Sequence, residues 1–423
     1  MIAVIMAGGK GTRIASINSE IPKPMIPISG KPILEYEIEV LKNQKIIDIY
    51  LVVGHLSEKI VEYFGDGTKF GVKIKYIYEN VPLGTAGALY YLKNEIYEDF
   101  LLLNGDTIFD VDLHKFYDSH KKNNCLATII THPNSHPYDS GVIFASNDGK
   151  VTKWLTKEDD RTWYKNRVNA GIHILSNKLL NRFNDVSKKD LDRDILKQLI
   201  KEGELYIYDS PEYIKDMGTP ERYYEVIRDI ETNKVWKRNL VNKQKAIFLD
   251  RDGTINKYKG FLTNIDDFEL IDGAVEAIKM INNSDYLAIV ITNQPVIARG
   301  EVTITELQMI HNKMETLLGY EGAYLDAIYY CPHHPHKGYK GEVVEFKIDC
   351  NCRKPKIGLI EEAAKRFNIN LEQSWFVGDS EIDILCGKNA KCKTAYICNN
   401  KQNLETDLQC NNLLEAIKKI IKY

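Results

Sequence analysis

Two aspartates stand two residues apart in Asp250-Arg251-Asp252-Gly253-Thr254, directly behind the apolar run 246–249. Carboxylates spaced this way at a strand end can do distinct jobs, one as nucleophile and the other as general acid/base. Thr292-Asn293 follows the apolar run 287–291, Arg353-Lys354 supplies cations, and Gly378-Asp379 closes the run 374–377. Four polar clusters, three of them behind expected strands, would converge at the carboxyl edge of a sheet, where α/β folds place ligands. Between the second and third clusters lie Cys331-Pro332-His333 and Cys350-Asn351-Cys352. Three thiolates and one imidazole make a closed tetrahedral Zn²⁺ site with no open position. The expected role is structural, pinning a long loop beside Lys354 and coupling its order to the metal. Cys386, Cys392, Cys398 and Cys410 lack such pairing and read as small apolar residues.

A second set of chemistry-bearing residues opens the chain. Residues 2–6 run into Ala7-Gly8-Gly9-Lys10-Gly11-Thr12-Arg13. A glycine-rich turn leaving a strand lets backbone N–H groups approach a phosphate, and adjacent cations neutralise it. The P-loop spacing of four residues before Gly-Lys-Ser/Thr is absent. The dinucleotide fingerprint fails too, because Ile14 stands where its third glycine belongs. Lys23, flanked by Pro22 and Pro24, sits on a stiff segment that suits a fixed charge opposite phosphate.

The elements that must hold these residues follow from the apolar pattern. Runs 2–6, 49–53, 100–103 and 126–130 are too short for helices and end at polar or glycine residues, as buried strands of a largely parallel sheet do. Leu34, Ile38 and Leu41 recur at helical spacing, and Thr85 opens another helix-like segment. The text turns charged and polar from about 230 to 245, which predicts a linker or connecting helix. A second α/β pattern follows, with strands at 246–249, 287–291 and 374–377. A helix capped by Asp272 carries Val275, Ile278 and Ile281 on one face, and another spans about 359–367. The chain of 423 residues is long enough for two or three domains at about 150 residues each. The pattern makes it two tandem α/β domains, 1–232 and 245–423, joined by 233–244.

Composition narrows the function class. Lys plus Arg number 56 and Asp plus Glu 59, giving a net charge of −3, so no basic surface for nucleic acid is expected. No stretch approaches the roughly 20 apolar residues of a membrane span, and residues 1–9 lack a signal peptide's basic start. The expectation is a cytoplasmic protein that meets neither nucleic acid nor membrane; the oligomeric state stays open, a homo-oligomer included.

Farther along, Glu79 precedes Pro82-Leu83-Gly84-Thr85-Ala86-Gly87, and Asn104-Gly105-Asp106, Val168-Asn169-Ala170-Gly171 and Lys215-Asp216-Met217-Gly218-Thr219-Pro220 follow. With the glycine loop, Pro22-Lys23-Pro24-Met25 and Gly30-Lys31-Pro32, this series resembles the sugar-phosphate nucleotidyltransferase family over residues 1 to about 228. The resemblance implies a Rossmann-like fold in which Gly8, Gly9, Gly11, Thr12 and Arg13 cradle a nucleoside triphosphate. It implies that Lys23 contacts the phosphates, that Glu79, Gly84 and Thr85 line the base pocket, and that Asn169 and Gly171 hold the sugar. Asp106 and Asp216 would bind Mg²⁺. Catalysis there would consist of positioning and cationic neutralisation. Thr156-Lys157 stands where the family often has Glu-Lys, so Lys157 is carried over as a sugar-phosphate contact while the hydroxyl replaces a carboxylate.

The order of the clusters from Asp250 to Asp379 resembles the haloacid dehalogenase phosphatases over residues 245 to about 398. That implies a Rossmannoid domain with Asp250 as phosphorylated nucleophile, Asp252 as acid/base, and Thr292, Asn293, Arg353 and Lys354 at the phosphoryl group. Asp379 would share Mg²⁺ with Asp250 and the Asp252 backbone. The zinc loop is similar to that of heptose 1,7-bisphosphate 7-phosphatases, with histidinol phosphatases as near relatives. Gln294-Pro295 departs from the usual Asn-Gln-Ser-Gly there, and Pro295 removes a backbone donor. Together the resemblances imply a bifunctional enzyme of nucleotide-activated heptose synthesis, with GTP favoured as donor. A hexose 1-phosphate nucleotidyltransferase joined to a histidinol-phosphatase-like domain is the alternative, and so is one half serving as a sugar-nucleotide sensor.

Overall fold

The computed structural model describes residues 1–9, 20–398 and 404–422. It divides into two compact units. The first comprises residues 1–132, 143–154 and 169–239; the second comprises 133–142, 155–168 and 240–423.

The first unit is built on a nine-stranded mixed sheet. Its middle is Ile2–Met6, hydrogen-bonded in parallel to Phe100–Asn104 on one side and Asp48–Val53 on the other. Lys73–Tyr78 extends the parallel part, and Val168–Leu175 adds an antiparallel strand beside Phe100–Asn104. The central strands read as unbroken apolar runs because both faces are covered, by one cluster around Leu34, Ile38 and Leu41 and another around Leu89, Leu92 and Phe183. A separate two-stranded ribbon pairs Tyr213–Asp216 antiparallel with Thr107–Asp110. Its register sets Asp216 opposite Thr107, so two distant carboxylates, Asp106 and Asp216, reach one place. The segment expected to be helical from Thr85 is a 3₁₀ helix instead, Gly87–Leu92.

The second unit holds a six-stranded sheet, parallel at every pairing. Its spatial order is Ala327–Cys331, Tyr286–Asn293, Lys245–Leu249, Trp375–Gly378, Lys393–Ile397, Leu408–Cys410. In chain order that is 3-2-1-4-5-6, and the direction of winding reverses between the strands ending at Leu249 and Gly378. At such a switch point neighbouring loops part and leave a crevice beyond the carboxyl ends. Asp250 and Asp379 leave the sheet at that point. Helix Ala274–Asn282 begins one residue later than a cap at Asp272 would set it, with Gly273 in the left-handed conformation as its cap; Asp272 does not cap it. The segment expected as linker includes the short helix Lys234–Lys237. Among the described residues no helix is long and apolar enough to cross a membrane.

Candidate active sites

The first unit opens a cavity of about 370 Å³ at the carboxyl ends of its central strands. Gly8, Gly9, Lys23, Glu79, Gly84, Thr85 and Asp106 all line it, together with Asn104 and Gly218. Gly11, Thr12 and Arg13 lie outside the described residues. Lys23 emerges from a 3₁₀ turn whose prolines set its direction, and its ammonium pairs with the Asp106 carboxylate. Both Asp216 oxygens accept from Arg222 Nη1 (2.8 Å each), and Oδ1 also accepts from the Gly218 N–H (2.8 Å). Burial opposes its ionisation, but Arg222, Lys23 and the Gly218 N–H outweigh burial and hold the carboxyl below its usual range. Glu37, on the helix Ile33–Asn43, lies fully buried behind Asp106 and accepts from the Thr107 N–H (3.1 Å). Burial drives its carboxyl well above the usual range, which spares the site a further negative charge.

Glu79 presents Oε1 as a buried oxygen with no hydrogen-bond partner among the described residues, and burial raises its carboxyl. Asn169 and Gly171 sit side by side on the strand Val168–Leu175. A β-carbon on Gly171 would fall 2.5 Å from Asn104 Nδ2, so this pair abuts the cavity wall. Lys157 is exposed, in a turn closed by Thr156 N and Oγ1 donating to Asp159 (2.7 and 2.8 Å), on a segment grouped with the second unit.

In the second unit the Lys354 ammonium is buried between Asp250 Oδ1 and Asp383 Oδ1, each 2.6 Å away. Asn293 fixes that lysine by its backbone, accepting from the Lys354 N–H (3.0 Å) and donating to its carbonyl (3.2 Å). Both ends of the Asn293 amide are therefore engaged by the loop. Thr292 is buried and accepts from Gln294 Nε2 (2.9 Å), and Arg353 donates to the His333 carbonyl (3.3 Å). The Asp252 carboxylate takes a two-oxygen grip from Arg251 Nη2 (2.8 Å each) and further bonds from Gln294 Nε2 (2.9 Å) and Asn256 Nδ2 (3.1 Å). Against the cost of burial, Arg251 and these amides keep it below the usual carboxylate range. Asp250 moves the other way. Burial and neighbouring Asp383 push it up to about 7 although Lys354 opposes the shift, and Asp379 rises to about 6, first through burial and then through Asp383.

Asp383 was missed at the sequence level. Its signal is four-residue spacing from Asp379, which puts both carboxylates on the first turn behind one strand; Ser380 and Asp383 cap that turn reciprocally. Asp250, Asp379 and Asp383 each offer an oxygen within 4.8 Å of the other two, a donor set fitted to a hard divalent cation. Two glycines make this closeness sterically feasible. A β-carbon on Gly253 (φ +83°) would lie 1.9 Å from Asp379 Oδ2, and one on Gly378 would lie 2.4 Å from Asp383 Cβ.

Cys331, His333, Cys350 and Cys352 converge as expected. Their sulfur–sulfur distances are 3.6, 3.3 and 3.2 Å, and His333 Nδ1 lies 3.2 Å from Cys352 Sγ and 3.8 Å from Cys331 Sγ. A tetrahedral zinc with bonds of about 2.3 Å to sulfur needs edges of about 3.8 Å, so the cage is slightly contracted but of the right shape. Burial pushes the Cys331 thiol up, and Cys352 to about 11, so three thiolates at this spacing require a cation. Of the remaining cysteines of this unit, Cys386, Cys392 and Cys410 are buried, as small apolar residues would be.

Residues 2–233 match the family model described as nucleotidyl transferase, and residues 351–413 match the one described as HAD-hydrolase-like. The chain belongs to the nucleotidyl transferase family. This nucleotidyltransferase also carries a HAD-like hydrolase domain. Its second half is 41% identical over 181 residues to D-glycero-beta-D-manno-heptose-1,7-bisphosphate 7-phosphatase of Pasteurella multocida, covering 42% of this chain and 96% of that protein. Its first half is 37% identical over 232 residues to D-glycero-alpha-D-manno-heptose 1-phosphate guanylyltransferase of Campylobacter jejuni, covering 54% of this chain and 99% of that protein. It is also 39% identical over 224 residues to bifunctional protein GlmU of Methanococcus maripaludis, a match that takes in 52% of each chain.

Replacing Lys354 with Met leaves Asp250 and Asp383 buried without their cation. The variant loses phosphatase activity, and the unfolding transition of the second unit loses about 3–5 kcal/mol, read by phosphate release and chemical denaturation.

Proposed function

We propose that this chain performs two consecutive steps on a heptose phosphate. The second unit hydrolyses the 7-phosphate of D-glycero-D-manno-heptose 1,7-bisphosphate, and the first unit joins the resulting heptose 1-phosphate to the GMP moiety of GTP, releasing pyrophosphate. One observation carries this reading: each half matches, over nearly the whole of that protein, an enzyme whose named substrate differs from the other's by the phosphate removed and by the anomeric prefix. Dephosphorylation at C7 leaves the anomeric centre untouched, as does attack by the 1-phosphate oxygen, so one anomer has to pass through both sites. We assign the α-anomer, after the transferase relative. We also place the boundary between the two catalytic regions at 233–244.

In the hydrolytic step an Asp250 oxygen attacks phosphorus while the bond to the C7 oxygen breaks and Asp252 donates a proton to that oxygen. Water then attacks the aspartyl phosphate, Asp252 takes its proton, and the bond to Asp250 breaks. The low resting proton affinity of Asp252 suits the second half of this cycle. A dianionic phosphoryl group arriving beside it raises that affinity for the first half. Lys354 and Thr292 hold the phosphoryl oxygens. Asp250, Asp379, Asp383 and the Asp252 carbonyl would hold Mg²⁺ here, and Asp106 and Asp216 in the first unit; the ion supplies neutralisation of phosphate charge. Cys331, His333, Cys350 and Cys352 would hold a structural Zn²⁺.

In the transfer step no protein nucleophile is needed. The sugar phosphate oxygen attacks the α-phosphorus of GTP and pyrophosphate leaves, with Lys23 and the Gly8-Gly9 backbone holding the charge that develops. Glu79 selects the base. Guanine shows adjacent N1–H and N2–H donors on one edge, which satisfy a carboxylate, whereas uracil sets its N3–H between two carbonyls and adenine and cytosine set their amino group beside a ring-nitrogen acceptor, which a carboxylate repels.

The deciding experiment supplies α-heptose 1,7-bisphosphate with mixed nucleoside triphosphates and identifies products by mass spectrometry. GDP-heptose, phosphate and pyrophosphate are expected; a different sugar nucleotide removes the guanylyl assignment, and no phosphate release removes the phosphatase assignment. Glu79→Gln lowers the ratio of kcat/KM for GTP over UTP by about ten- to a hundredfold, the worth of a charged hydrogen bond. For the cysteine cage, elemental analysis of the purified chain finds one zinc per molecule, and Cys350→Ser lowers both the zinc content and the melting temperature of the second unit.

A further inference from the structure

Asp192, in the first unit, belongs to none of the readings above, yet it is bonded to the residue expected to hold the sugar. An asparagine amide offers four hydrogen-bonding positions, two on Oδ1 and two on Nδ2. On Asn169 three are already taken. Oδ1 accepts from the Gly171 N–H (3.2 Å) and lies 3.0 Å from His173 Nε2. His173 is buried, burial lowers its proton affinity to about 3, and its Nδ1 has no partner among the described residues. The ring is therefore neutral, and the proton that makes the contact with Oδ1 favourable sits on Nε2. Asn169 Nδ2 in turn donates to Asp192 Oδ1 (3.2 Å). What Asn169 keeps for a ligand is one N–H, and it can accept nothing.

Asp192 keeps the complementary group. Among the described residues its Oδ2 accepts no hydrogen bond. Burial, followed by the neighbouring Asp190, pushes its carboxyl up to about 6, so at neutral pH it remains an acceptor. The residue sits on a π-helical turn, Leu191–Leu196, a rare conformation that recurs at functional sites. That turn is anchored to the cavity wall, since Thr85 Oγ1 accepts from the Leu191 N–H (2.7 Å). On the other flank, Asn104 joins the same wall to Gly171.

We propose that Asp192 Oδ2 and the remaining Asn169 N–H read two adjacent hydroxyls of the acceptor sugar, the amide donating to one oxygen and the carboxylate accepting the proton of the next. A vicinal diol on a sugar 1-phosphate is the ligand chemistry that matches one fixed donor beside one fixed acceptor. His173 is a positioning residue that holds the amide in the donating orientation. This inference rests on the nucleotidyltransferase reading of the cavity.

The test uses the full chain, GTP, heptose 1-phosphate and its monodeoxy analogues. Asp192→Asn raises the KM for heptose 1-phosphate ten- to a hundredfold and leaves the KM for GTP within about twofold, which also reports that the unit is folded; Asp192→Ala does the same. The analogue lacking the hydroxyl read by Asp192 is a poor substrate for the unaltered protein and loses no more in either variant, a non-additivity that a purely structural role does not produce. An unchanged sugar KM, an equal rise for GTP, or additive losses with every analogue overturns the assignment of Asp192 while leaving the transferase reading intact. If the unaltered protein turns over no sugar 1-phosphate with any nucleoside triphosphate, the cavity reading falls, and this inference with it.

Discussion

A single buried ammonium holds the second unit's site together. Lys354 would be costly to bury alone, and so would Asp250 and Asp383; at 2.6 Å on each side they compensate one another. Three parts of the chain meet in that compensation: the end of the first strand, the turn after the fourth, and the loop that leaves the cysteine cage. Asn293 completes it from a fourth, gripping the lysine's backbone so that Nζ has little freedom in where it points. Lys23 and Asp106 make a smaller version of the same bargain in the first unit, more open to solvent. In both units a cation is set in place before any phosphate arrives, which is what catalysis by positioning requires.

The two sites differ in what they do with that cation. The wall of the first is rich in glycine, with Gly8, Gly9, Gly84, Gly105 and Gly218 beside Lys23 and Asp106, as positioning and neutralisation of reactants would need. Around Asp250 and Asp252 the second builds opposite environments, as the nucleophile and acid/base roles proposed for them require. Asp250 lies among carboxylates with one shared cation, whereas Asp252 is gripped at both oxygens by the Arg251 guanidinium and accepts from two amides besides. Carboxylates two residues apart thus acquire proton affinities on opposite sides of the ordinary value.

How much of this could be read in advance depended on whether a residue's role is local in the chain. Asp250, Thr292 and Asp379 follow apolar runs directly, and a parallel strand delivers its next residue to the carboxyl edge, so their convergence was legible. The cysteine cage was legible for the same reason, as two short spacings. Glu37, His173 and Asp192 were not. They act from helices and strand interiors through partners up to 70 residues away, and no spacing encodes that. Asp272 misled because a side chain able to cap a helix was outcompeted by Gly273, which takes the left-handed turn at no steric cost. The helix-like pattern after Thr85 wound more tightly, into a 3₁₀ helix. Lys157 was placed by likeness to a spacing, and that spacing lies in a segment grouped with the other unit.

The contact between Gly253 and Asp379 leaves no slack, since not even a methyl group fits between the aspartate loop and the carboxylate across from it. The two segments therefore cannot drift independently over generations. A chimera that exchanges residues 245–256 for those of a distant homologue inherits a loop cut to another protein's fourth strand. Only a graft carrying 375–383 along with it preserves the fit. Segments more than a hundred residues apart in the chain are, for inheritance, one part.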